Sequence, residues 1–106
     1  MIFSNLKKMK LGWFVGDFEP NVFKSKEVEI SLKRIKKGFK EEPHFHKLSK
    51  ELNLIVSGSL KINDKILYID DIFVFEENEI SNVTFLQDTT LVVVKIPSIP
   101  NDKYIA

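Results

Sequence analysis

His44, Phe45 and His46 hold both histidines of the chain in one tripeptide. On a strand, residues two apart point to the same face, so two imidazoles project together at chelating distance. Glu51 follows five residues after His46. The polar stretch 47–50 reads as a turn, which lets Glu51 open the antiparallel neighbour strand and face the same interior. Two imidazoles and one carboxylate suit Fe(II), Mn(II), Ni(II) or Zn(II), and leave open positions for water or substrate. The chain has no cysteine, which removes thiolate zinc sites, disulfides and thiol catalysis together. Only Tyr68, Tyr104 and these two histidines offer further acid–base groups of their kinds, and none is placed by the sequence as a general acid or base. Catalytic residues are therefore unassigned.

The three residues sit in a longer pattern. Gly38, His44, His46, Glu51 and Gly58 spell G-x5-H-x-H-x4-E-x6-G. Every fixed position matches the first signature motif of the cupin family, and on these residues the chain resembles a small stand-alone bacterial single-domain cupin. The resemblance implies an all-β fold, a double-stranded β-helix or jelly-roll barrel. It implies one cupin domain over residues 1–106, with the core barrel at about 27–96. The two glycines stand where strands turn or bulge and the backbone needs freedom. The family's second motif, G-x5-P-x-G-x2-H-x3-N, is degenerate here: Asp70, Glu76, Asn78, Ser81 and Phe85 occupy its positions. Asn78 replaces the glycine plausibly, because Asn enters the left-handed region most readily after Gly. The fourth ligand position falls on Ser81, a poor ligand for late divalent metals. The expected site is thus His44, His46 and Glu51 alone. Glu76, Glu77 and Glu79 read as a solvated acidic turn.

Short strands must position this set. Val28, Ile30 and Leu32 alternate with Glu29, Ser31 and Lys33, the period of a half-buried strand. Continued to Arg34, that alternation makes the lone arginine an inward-pointing candidate for clamping a carboxylate or phosphate. Residues 52–60 are aliphatic and β-branched. Asn63-Asp64 punctuates two apolar runs as a tight hairpin. Further strands are expected at 72–75, 83–86 and 90–96, with Pro97 and Pro100 ending the last. Turn signals every 8–12 residues suggest a sandwich or barrel. One short helical turn is expected within 4–11. If Glu51 faces inward, Asn53 and Ile55 do too, which makes Asn53 a second substrate-binding candidate and Ser81 a third. Leu52, Leu54 and Val56 then form an outer apolar stripe that needs cover. Trp13, between Gly12 and Gly16, is read as core by default, or as a residue over the barrel mouth.

Composition narrows the partners. The 106 residues are 43% hydrophobic and 29% charged, too apolar for disorder and of a size for one domain. The net charge of +1, and a single Arg among 16 basic residues, argue against a nucleic-acid groove. No apolar run reaches the roughly 18 residues of a membrane span, and residues 1–10 lack a signal-peptide pattern. A cytoplasmic homodimer without nucleic-acid or membrane partners is expected. Its expected role is binding or transforming a small carbohydrate-like or carboxylated molecule at a divalent metal. The alternative is a non-enzymatic ligand-binding or regulatory cupin with a degenerate metal site. A metal-free sugar epimerase ranks below both, because both histidines belong to the metal motif.

Overall fold

A computed structural model describes residues 1–106. One 3-10 turn, Leu6–Lys8, precedes eleven strands. They are β1 (Trp13–Gly16), β2 (Phe23–Lys24), β3 (Glu29–Ile35), β4 (His44–Phe45), β5 (Lys50–Ser57) and β6 (Leu60–Ile62). The remainder are β7 (Lys65–Leu67), β8 (Ile72–Phe75), β9 (Val83–Phe85), β10 (Thr89–Ile96) and β11 (Tyr104–Ile105). A six-stranded sheet runs in the order β2-β1-β3-β10-β5-β8. A three-stranded sheet, β7-β6-β9, and the pair β11-β4 complete the architecture. The all-β expectation holds.

Local chemistry explains most boundaries. The β6–β7 hairpin turns at Asn63-Asp64, with Asn63 at φ 54°. Asn78 has φ 67°, the backbone conformation its motif position demands. Gly38 and Gly58 both have positive φ, 81° and 90°.

Three long strands carry the interior. β10 pairs antiparallel with β3 on one side and β5 on the other, so side chains align in rows across the sheet. One row reads Lys33, Leu91, Ile55, and the next Ser31, Val93, Asn53. The last reads Glu29, Lys95, Glu51. β5 and β10 thus run from apolar to polar along their inner faces. At the apolar end Ile55, Leu91 and Val93 pack with Leu60, Leu67 and Phe85 of the facing strands into the buried core.

This geometry corrects the phase expected for β3. Glu29 and Ser31 are buried, and Lys33 and Ile35 line the interior cavity. Arg34 is exposed and lies on the outer side of the sheet, so it is no substrate-binding residue of this cavity. The apolar residues that suggested the opposite phase serve a second layer. Leu32 and Val92 share an outer groove with Leu6, Met9, Phe14 and Val22 of the N-terminal segment. A strand covered on both faces has no polar outer side to betray its phase. Further along the same outer face, Leu54, Val56, Ile72 and Val74 are exposed.

The two motif glycines differ in a measurable way. A Cβ on Gly58 would stand 2.4 Å from the Asp88 carbonyl oxygen, whereas nothing lies within 4 Å of one on Gly38. Gly38→Ala should then cost only the left-handed backbone penalty, about 1–2 kcal/mol. Gly58→Ala should cost clearly more, because backbone must move as well. Chemical denaturation of both variants checks the order; equal losses would contradict it.

Candidate functional site

His44, the first residue of β4, pairs antiparallel with Ser81, through N–H···O bonds of 3.3 and 2.7 Å. His46 follows one residue past the strand, and Glu51 stands near the start of β5. Strand alternation, the short turn and the β5 register bring all three into one cavity of about 260 Å³. Their ligand atoms lie within 4.8 Å of one another. Two bonds of about 2.1 Å to a common ion span at most about 4.2 Å, so small side-chain rotations suffice to converge them.

The His46 ring is held from behind. Its Nδ1 donates to the Asp102 carbonyl oxygen at 2.5 Å. With the proton on Nδ1, Nε2 carries a lone pair, and it points 3.4 Å from Glu51 Oε1. That Nε2 is fully buried and makes no hydrogen bond. A lone pair facing a carboxylate in a buried setting is unfavourable unless a proton or a metal cation lies between them. This donor set fits a divalent metal. His44 repeats the pattern, with Nδ1 3.2 Å from the Glu42 carbonyl oxygen. Burial lowers the His44 pKa against the opposing pull of Glu41, which favours the neutral, metal-binding form. For Glu51, burial works against the charge, and the Asn53 amide, donating to Oε2 at 3.2 Å, and the Lys95 ammonium support it.

Asp102 was invisible to the sequence reading. Its carboxylate is buried and accepts from the N–H groups of Lys47, Leu48 and Ser49, at 3.1, 3.0 and 2.9 Å. Burial raises its pKa, but those three donors more than reverse the effect. One residue near the C-terminus thereby fixes the loop that joins His46 to Glu51, and orients the His46 ring.

Of the other sequence candidates, Asn53 is buried, lines the cavity and holds Glu51. Ser81 is buried beside His44 on the cavity wall. Glu76 and Glu79 are exposed, with the Glu79 carboxylate accepting from the Glu76 N–H. The cavity also contains groups the sequence reading passed over: Lys33, Lys95, Glu41 and Lys103. The polar half of the β3 alternation was the available signal for Lys33. Trp13 stands on the cavity wall, with the Lys33 and Lys95 ammoniums 5.0 and 5.2 Å from its ring centre. Lys103 pairs with Glu41 at 2.9 Å.

No protein-family model matches the chain, and no curated protein matches it by sequence. Solved structures do match. A conserved protein with a double-stranded β-helix domain from Klebsiella pneumoniae superposes with a TM-score of 0.67 at 16% identity, over 77% of this chain and 72% of that one. KdgF from Halomonas sp. gives 0.62 at 17% identity, over 74% of each chain. The DMSP lyase DddQ from Ruegeria pomeroyi gives 0.71 at 11% identity, over all of this chain and 60% of that one. At such identities the likeness carries no activity across, but it does settle the architecture: this chain is a double-stranded β-helix protein with the cupin fold.

Proposed function

We propose that the chain is a metal-dependent small-molecule protein. His44, His46 and Glu51 would hold one divalent transition metal, Fe, Mn, Ni or Zn, inside the barrel. The orientation of His46 carries this reading. Its Nδ1 is committed to the Asp102 carbonyl, which leaves a buried, unpaired Nε2 aimed at Glu51. Bound there, such an ion supplies Lewis-acid or redox chemistry at the positions the protein leaves open. The chain's own residues would do the rest. Asn53 steadies the Glu51 carboxylate, the Ser81 hydroxyl offers a hydrogen bond where the family motif places a fourth ligand, and Phe73, Phe75 and Val83 give the ligand an apolar wall. Named neighbours of this fold include a lyase, yet a fold hosts many reactions, so the reaction type is not inherited. The second reading is a ligand-binding or regulatory barrel. The serine at the fourth ligand position favours it, since a three-residue site binds metal less tightly.

A homodimer is the second part of the proposal. Leu54 faces Ile72 across the β5–β8 register, and both are exposed on the outer face. β8 is also an edge strand of the large sheet. A second copy would cover this stripe and the open edge together, and a net charge of +1 opposes association little.

Four outcomes follow. Elemental analysis of protein purified without tag or chelator should find about one equivalent of transition metal, lost in His46→Ala; no metal, and no thermal shift on adding Fe(II), Mn(II), Ni(II) or Zn(II), would contradict the metal reading. An enzyme should then lose turnover in chelator, whereas a binding barrel should keep its ligand. Asp102→Ala strands three N–H donors, so it should lower stability by about 2–3 kcal/mol and weaken metal binding about 10–100-fold. Unchanged affinity in calorimetry would show that the carboxylate's hold on the loop does not serve the metal site, since the carbonyl that meets His46 Nδ1 is kept in the variant. Sedimentation should show a dimer at micromolar concentration, and a monomer when Leu54→Lys is combined with Ile72→Lys; a monomeric parent would rule the interface out.

A further inference from the structure

Lys33 occupies a position where a lysine is hard to explain structurally. It stands in register with Leu91, whose other neighbour is Ile55, so its row is otherwise apolar and belongs to the core. Its ammonium reaches the cavity, yet it takes part in none of the ion pairs there. Lys95 lies 3.9 Å from Glu29, and Lys103 lies 2.9 Å from Glu41. The only close partner of Lys33 is the face of Trp13 at 5.0 Å. Burial pushes its pKa down, against the pull of Glu41 and Glu51. A half-buried ammonium with no ion-pair partner within reach is costly to keep. A ligand anion would supply the missing partner.

The rest of the cavity agrees with this. Lys95 and Lys103 are already matched by Glu29 and Glu41, and Glu51 faces the histidines, so Lys33 is the ammonium left without an ion-pair partner. A divalent ion on the histidines would add positive charge beside it, and such a field concentrates anions. The volume of about 260 Å³ equals roughly nine waters. That suits an acid of a few carbons, with Phe73, Phe75 and Val83 against its chain. A neutral sugar ring would need several uncharged hydrogen-bonding groups, and beyond the two histidines the wall offers Asn53, Ser81 and the Trp13 indole, fewer than its charged side chains.

We infer that the cavity binds a small carboxylate, its anionic end on Lys33 and Lys95 beside Trp13 and its remaining oxygen toward His44, His46 and Glu51. The second contact rests on the metal-site reading; the first does not.

Trp13 is the sole tryptophan and stands at this site, so its fluorescence reports occupancy. The probes are lactate and 3-hydroxybutyrate, with propane-1,2-diol as the neutral match to lactate and inorganic phosphate as a different anion. Each is titrated into metal-free and Zn(II)-loaded protein. Either carboxylate should give a saturable change at millimolar concentration, and the diol none. Lys33→Met should weaken carboxylate binding about tenfold or more, take up Zn(II) as the parent does, and melt at a higher temperature because a half-buried, unpaired charge is gone. Lys33→Arg should bind within a few-fold of the parent. Should Lys33→Met not fold, Lys95→Gln carries the same test. Equal carboxylate binding in these charge-removing variants, a diol response matching that of lactate, tighter binding of phosphate, or no carboxylate response would each overturn the inference. Failure to take up Zn(II) would count against the metal reading alone, because titration of the metal-free protein still decides the role of Lys33.

Discussion

The antiparallel register of β10 between β3 and β5 is the constraint on which the rest depends. It sets Lys95 directly between Glu29 and Glu51, and Leu91 between Lys33 and Ile55. A slip of one residue would turn every one of these side chains to the opposite face. The same pairing that buries Ile55, Leu91 and Val93 therefore also presents Glu51, Asn53 and Lys95 to the cavity. Core and site are two ends of one set of inner faces. The apolar end provides the burial that makes the register unique, and the polar end inherits its precision from it.

Precision at the two histidines needs a further device, because His46 lies beyond the end of β4 and not on a ladder. Asp102 provides it from far along the chain. Its carboxylate gathers three consecutive N–H groups, and its carbonyl takes the His46 Nδ1 proton. A loop held this way presents an imidazole lone pair at little further entropic cost, the usual role of the groups behind a metal-bound histidine. The pairing of β11 with β4 fastens the same terminal segment, with Tyr104 stacked on Phe45 and opposite it in register.

The barrel and the His44, His46, Glu51 cluster were legible because local spacing encodes them. The interval between His44 and His46 is the strand period, Gly38 and Gly58 need positive φ, and Asn78 takes the conformation its motif position demands. The phase of β3 was not legible. Ile30 and Leu32 look like an inner face, but the N-terminal segment covers that side, and only the fold shows two apolar layers competing for one strand. Arg34 was misplaced for this reason, and Lys33 was overlooked for the same one. Asp102 left no trace in the sequence because its partners lie more than fifty residues away. Long-range acceptors of backbone N–H groups have no local pattern.

The most direct measurement is anomalous diffraction at the zinc edge from crystals grown with Zn(II). A single strong peak inside the barrel, bonded to His46 Nε2, His44 and a Glu51 oxygen at about 2.0–2.2 Å, is the predicted result. Density for zinc only at exposed carboxylates such as Glu76 and Glu79, with the barrel free of any peak, would contradict the account.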